Sequence, residues 1–138
     1  MARWPIPLPR VMGSVFTDAE RRYLSERRLG RIATVGKDGT PHVAPVGWRY
    51  DPDEDAVEVA GRNFERSKKY HDAARSGRAA IVIDDLVSVD PWQPRGIEIR
   101  GAAEVLDDPP RIRIRPGRVV SWGLEDDDFF QRHARTVR

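Results

Sequence analysis

Residues 31–50 hold two strand-like runs, Arg31-Ile32-Ala33-Thr34-Val35 and Pro41-His42-Val43-Ala44-Pro45-Val46-Gly47-Trp48-Arg49-Tyr50, on either side of an Asp38-Gly39 pair. An Asp-Gly dipeptide takes up the positive φ angles of a tight turn at low cost, so extended runs flanking it pair antiparallel. An antiparallel sheet is therefore the element around which the rest of the chain must pack. Pro45 and Gly47 interrupt the second run. Proline has no N–H for a ladder and glycine no side chain to pack, so the pair points to an edge, a bulge or a close ligand approach.

Upstream, Phe16-Thr17-Asp18-Ala19-Glu20 opens a helix through a capping box, with Thr17 at the N-cap and Glu20 three residues on. This helix is expected to run to about Arg28, with Ala19, Tyr23 and Leu24 on its apolar side and Gly30 past its end. After the turn Asp51–Asp55 comes a strand over Ala56–Ala60, then a second helix over Phe64–Ser76 with Asn63 as N-cap and Gly77 as its stop. Arg78–Ile83 reads as a strand buried on both faces. A loop around Asp90-Pro91-Trp92-Gln93-Pro94 leads to an alternating run, Gly96–Val105, in which Gly101 marks a bulge. Ile112–Ile114 and Val119–Trp122 complete the strands, and no element is assigned beyond Glu125. The class is α+β, predominantly antiparallel β, with two short helices around a small barrel or sheet. The expected organisation is an N-terminal arm over 1–15, one folded domain over 16–124 and a C-terminal tail over 125–138.

The net charge is only +2, and of the 24 basic residues all but three are arginine. A field broad enough to attract a nucleic-acid duplex is not expected; the cations cluster at 62–78 and 111–118, which suits a small anionic ligand. No apolar run approaches the ~20 residues that span a bilayer. Residues 1–15 have no apolar core of the kind a signal peptide carries, so a cytoplasmic protein is expected. With no cysteine there is no disulfide, thiolate metal site or cysteine nucleophile. His42, His71 and His133 have no partners at metal-ligand spacing, so no zinc or iron site is expected. His42, just past the turn, reads as structural.

Gly61-Arg62-Asn63-Phe64-Glu65-Arg66-Ser67-Lys68-Lys69 places four cations at the start of a helix. Cations there oppose the helix dipole, and such breaches of a local rule tend to mark sites. Free N–H groups, the dipole and the cations together suit a phosphate. The same run also describes a solvated basic face. No Gly-x-Ser-x-Gly elbow, Walker loop or Gly-x-Gly-x-x-Gly fingerprint is present. The chain is then either a binding module or an enzyme whose cofactor carries the reaction.

The order of these segments resembles the pyridoxamine 5'-phosphate oxidase-like split β-barrel superfamily. Leu29–Val35, Asp38–Val46, Arg66-Ser67-Lys68-Lys69, Arg78–Ile83 and Ile97–Val105 carry the likeness, which covers about residues 16–122. Within the superfamily the chain looks most like its short branch of coenzyme F420-dependent oxidoreductases. The resemblance implies a homodimer of split barrels with cofactor sites at the subunit interface. Arg66 and Lys68 would hold the cofactor phosphate, with Ser67 and Lys69 beside them. Pro45, Val46, Gly47 and Trp48 would line the ring, and Gly61, Arg62 and Asn63 would approach the phosphate end. Trp92, Arg95 and Trp122 would close the pocket, from the same or the partner subunit; each tryptophan is equally a core or interface anchor.

The implied reaction is hydride transfer from reduced deazaflavin to an unsaturated, conjugated small-molecule substrate. A deazaflavin carries carbon where flavin has its reactive nitrogen, so it transfers hydride and does not readily activate oxygen. Tyr70 and His71 are proton-donor candidates by chemistry alone. FMN is the rival cofactor, since the same fold holds it, and a non-catalytic flavin or tetrapyrrole binder is the alternative from another class. Lys69, Arg75 and the Arg111, Arg113, Arg115, Arg118 series would meet an oligoglutamate tail. That series equally describes an exposed strand face.

Overall fold

The Asp38-Gly39 turn forms as the sequence requires. Gly39 takes φ 87°, Thr40 donates its N–H to the Asp38 carboxylate at 3.0 Å, and Gly36 donates to the Thr40 carbonyl at 2.8 Å. The computed structural model describes residues 13–125 and 131–137; most of the expected arm, and 126–130 of the expected tail, lie outside the described residues.

The elements run α1 (Asp18–Glu26), β1 (Leu29–Val35), β2 (Pro41–Asp51), β3 (Ala56–Ala60), a 3-10 turn (Phe64–Arg66), α2 (Lys68–Ser76), β4 (Arg78–Ser88), β5 (Gln93–Asp107), β6 (Pro110–Trp122) and β7 (Arg132–Thr136). The first six strands pair antiparallel in the order β3-β2-β1-β4-β5-β6, and a β3–β6 pairing closes them into a barrel. Along one edge β6 divides its partners: Ile112–Ile114 pair with β3, and Arg118–Trp122 pair with β7. The fold is the expected split barrel of α+β class.

Ile81, Ile83, Ile97, Ile99, Ile112, Ile114, Val57, Val59 and Val119 fill the interior and are fully buried. Each such side chain contributes roughly 1.5–3 kcal/mol by leaving water. The bulge falls at Gly101, where the β5–β6 register shifts after Arg100. A Cβ there would sit 1.7 Å from the Arg115 carbonyl oxygen, so only glycine lets the strands approach.

Several boundaries differ from the sequence reading. α1 stops at Glu26, because Arg27 is already extended as its C-cap. β4 buries one face only, through Ala79, Ile81 and Ile83, while Ala80 and Val82 are half-buried. The two runs at 112–122 belong to one continuous strand, β6. Asn63 is not the N-cap of α2: it is left-handed (φ 51°) and precedes the 3-10 turn, and Ser67 caps α2 instead. A strand, β7, also forms within the stretch beyond Glu125, where the sequence pattern marks no element.

Buried carboxylates fasten the ends of the barrel. Glu20 accepts from Arg135 (Nη1, 3.0 Å), from the Ser121 hydroxyl (2.7 Å) and from the Thr17 N–H (2.9 Å), which ties α1 to β6 and β7. Asp55 accepts from the Tyr50 hydroxyl (2.5 Å), the Ser14 hydroxyl (2.7 Å) and the Val15 N–H (2.8 Å). Burial and the hydrogen bond to Asp55 both push the Tyr50 phenol up. Among the described residues no helix is long and apolar enough to cross a membrane.

Candidate functional site

Strand β2 changes partners at Gly47. Residues 41–47 pair with β1 on one side and residues 47–51 with β3 on the other, so the far edge of 41–46 has no strand partner among the described residues. Pro45 stands in this half-open stretch, opposite Arg31, which is why a residue without an N–H is tolerated there. Val43 projects from the same stretch and is 72% exposed.

The start of α2 faces this edge. Lys68 and Lys69 share a 120 Å³ cleft with Ile32, Thr34, His42, Val43 and Ala44. The Ser67 hydroxyl accepts from the Tyr70 N–H at 3.3 Å and donates to the Phe64 carbonyl at 2.6 Å. The first N–H groups of any α-helix lack intrahelical acceptors, and no acidic residue stands in the first turn of α2 to neutralise its positive end. Lys69 Nζ lies 5.4 Å above the Phe64 ring. Lys68 Nζ lies 3.4 Å from Oδ1 of Asp72, which Arg75 also reaches at 3.2 Å. Burial pushes the Asp72 carboxyl up, but the hydrogen bonds from Arg75 and Lys68 outweigh it and hold the group below its ordinary value.

Beyond Gly47 the same strand borders a 560 Å³ cavity lined by Arg28, Gly47, Trp48, Arg49, Glu58, Ala60, Pro109 and Arg111. A Cβ on Gly47 would meet no atom within 4 Å, so packing does not require glycine here, and its bare Cα leaves the wall flat. A flat strand wall with lysines and free helix N–H groups at one end fits a planar ring that carries a phosphate.

Of the expected site residues, Pro45, Val46, Gly47 and Trp48 lie along β2 between the cleft and the cavity, although the Val46 and Trp48 side chains are buried. Gly61, Arg62 and Asn63 form the exposed turn that follows Ala60 of the cavity wall. Arg66 is exposed at the end of the 3-10 turn, directly before Ser67, Lys68 and Lys69. Trp92 and Arg95 lie elsewhere, on the β4–β5 hairpin. Trp92 is 58% exposed. Arg95 grips Asp85 through Nε (2.8 Å) and Nη2 (3.1 Å), and Asp85 also accepts from the Tyr23 hydroxyl (2.7 Å). Trp122, at the end of β6, has the Arg132 guanidinium 5.8 Å from its ring. The Tyr70 hydroxyl donates to the Leu106 carbonyl at 3.0 Å, and His71 is exposed.

The arginine series of β6 is not a free cationic face. Arg111 and Arg113 reach Glu58, Arg115 reaches Glu54 and Glu104, and Arg118 donates to the Thr136 hydroxyl. Sequence reading did not single out Arg28, Glu58 or Asp72. The one available signal for Glu58 was a carboxylate set between Val57 and Val59 in an otherwise apolar strand.

Comparison with known proteins places this architecture. The family model described as pyridoxamine 5'-phosphate oxidase matches residues 16–122. A 5a,11a-dehydrotetracycline/5a,11a-dehydrooxytetracycline reductase of Streptomyces rimosus is 38% identical over 132 residues, covering 88% of this chain and 93% of that protein. An F420H2-dependent biliverdin reductase of Mycobacterium tuberculosis is 33% identical over 97 residues, covering 70% of this chain and 64% of that protein. Among solved structures, a heme binding protein of Mycobacterium smegmatis superposes with TM-score 0.68 at 17% identity, over 88% of this chain and 59% of that one, a likeness of fold. With the barrel, the β2 edge and these matches in agreement, the chain belongs to the pyridoxamine 5'-phosphate oxidase family.

Proposed function

We propose that this protein is an oxidoreductase that binds coenzyme F420 along β2 and reduces an unsaturated, conjugated small molecule. The observation that carries this reading is the flat wall at Gly47 running on one strand to the lysine-bearing start of α2. Lys68 and Arg66, with the free N–H groups of α2, hold the cofactor phosphate. Pro45 and Gly47, with the backbone of Val46 and Trp48 between and beside them, support the ring. The two relatives named as reductases, one of them F420H2-dependent, favour a deazaflavin over FMN.

When bound, the reduced deazaflavin supplies hydride. The chain's own residues hold the phosphate, keep the ring against β2 and leave the cavity open for substrate, so its contribution is binding and orientation. The working form is a homodimer in the cytoplasm. The open edge of β2 with exposed Val43, and a 590 Å³ surface depression walled by Ala33, Val35, Pro41, Ala79, Ala80 and Ala102, give a partner subunit an apolar face to cover.

Separate titrations of the purified protein with coenzyme F420 and with FMN, followed by cofactor fluorescence, test the reading. Micromolar F420 binding with weaker FMN binding is expected. The reverse preference makes the protein an FMN enzyme, and F420 binding without turnover of its reduced form makes it a carrier. Binding of neither overturns the cofactor site.

A further inference from the structure

The 560 Å³ cavity carries a charge pattern that the cofactor phosphate does not use. Arg28, Arg49 and Arg111 line it, against one carboxylate, Glu58. Glu58 is 3% exposed, and its oxygens lie 3.3 Å from Arg49 Nε, 3.3 Å from Arg111 Nε and 2.9 Å from Arg113 Nε. One buried carboxylate thus sets three guanidinium groups in place before any ligand arrives. Arg28 is exposed and makes no ion pair among the described residues. Arg49 also faces Asp51 at 3.8 Å, and Arg111 Nη1 donates to the Pro109 carbonyl at 2.8 Å, so the lining keeps its excess of guanidinium over carboxylate chiefly through Arg28. A guanidinium fork matches the paired oxygens of a carboxylate or the oxygens of a conjugated enolate.

Its position follows from the strand. Val43 stands beside the lysines and Gly47 beside the arginines, four residues apart on β2, which is about 13 Å of strand. A phosphate held at the lysine end of β2 leaves the second cationic group, at the Gly47 end, to a different anion.

We propose that this cavity binds the anionic group, carboxylate or enolate, of the substrate to be reduced. Arg28 and Arg111 are its ligands, and Glu58 is the positioning residue that aims Arg49 and Arg111. The proposal rests on the cofactor reading above for the identity of the anion as substrate.

The test is calorimetric titration of the wild-type protein, Arg28→Gln and Arg111→Gln with two conjugated enones, 4-(3-oxobut-1-enyl)benzoate and its methyl ester. F420 titration of the same proteins runs in parallel. Wild type is expected to bind the carboxylate at least about tenfold more tightly than the ester. Each variant is expected to lose about that factor for the carboxylate and nothing for the ester or F420. Arg28 is exposed and makes no ion pair among the described residues, so its variant is expected to keep the fold even if loss of Arg111 disturbs Glu58. Equal affinity for acid and ester, or variants without effect on the acid, overturns the proposal. A variant that loses F420 but not the benzoate overturns it too, and gives the cavity to the cofactor's own carboxylate tail. Failure of wild type to bind F420, with the benzoate pattern intact, overturns the cofactor reading and leaves the anion subsite standing.

Discussion

Lys68 Nζ lies 3.4 Å from Oδ1 of Asp72, one helical turn on, and that carboxylate is 2% exposed. Arg75 approaches the same oxygen from the other side, while Oδ2 is buried and has no hydrogen-bond partner among the described residues. A lysine at the positive end of a helix is thereby kept beside the β2 cleft. Asp72 offsets part of the charge that would otherwise oppose the helix dipole.

Lys68→Ala is expected to weaken F420 binding by about 1.5–3 kcal/mol, the scale of a charge-assisted hydrogen bond. The Lys68 side chain is largely exposed, and Arg75 still serves Asp72 in the variant, so thermal stability should barely move. Fluorescence titration alongside a melting curve separates the two effects. An unchanged dissociation constant would move the phosphate site away from α2.

Two glycines should respond in opposite ways. Gly47→Val adds a side chain where no atom lies within 4 Å, so it is expected to leave the melting temperature unchanged and cut F420 affinity at least about tenfold. Gly101→Ala drives a Cβ into the Arg115 backbone and should cost about 3 kcal/mol of stability, the upper end of overpacking costs. Chemical denaturation of both variants, with F420 titration of the first, checks the contrast. A destabilised Gly47 variant would mean that the glycine serves the fold.

What could be read in advance follows the range of the interaction. The 38–39 turn and the Thr17–Glu20 capping box are set by residues within a few positions, and both stand in the structure. The Gly101 bulge stands too; its local mark is the glycine itself, although the Arg115 backbone of the neighbouring strand is what requires it. The start of α2 was misplaced because Asn63 is a good cap by composition but is held left-handed, which inserts a 3-10 turn before Ser67. β7 was missed because Arg132-His133-Ala134-Arg135-Thr136 has no apolar alternation; its pairing with β6 and the Arg135–Glu20 bond hold it. The Arg28, Arg49, Glu58 and Arg111 cluster draws on four elements or their flanks, so only strand register assembles it.

The dimer reading predicts a solution mass of twice the 15.7 kDa chain by light scattering. Val43→Glu would place a charge on the open edge of β2, where a covered interface tolerates none without a partner. The variant is expected to shift the protein toward monomer and, if the partner subunit completes the pocket, to weaken F420 binding with it. A wild-type protein that stays at the single-chain mass at all concentrations would remove the interface and leave each barrel to bind cofactor alone.

Acid should loosen the molecule at Glu20. Burial pushes this carboxyl up, but hydrogen bonds from Arg135, Ser121 and the Thr17 N–H outweigh it, so the folded group lies below its ordinary value of 4.5. The unfolded chain therefore takes up a proton at this residue before the folded one does. The stabilisation is fully present above pH 4.5 and is lost as pH falls through the lower folded value. Asp85 behaves in the same sense, held down first by its hydrogen bond from Arg95. Urea unfolding between pH 6 and pH 3 should show stability falling with acid in the wild type and a shallower fall in Glu20→Gln, which has no carboxyl to protonate there. Glu20→Gln should also be weaker at neutral pH, because Arg135 then faces a neutral amide across the α1–β7 contact. Equal slopes in the two proteins would mean that Glu20 is not the group whose protonation releases β7 and α1.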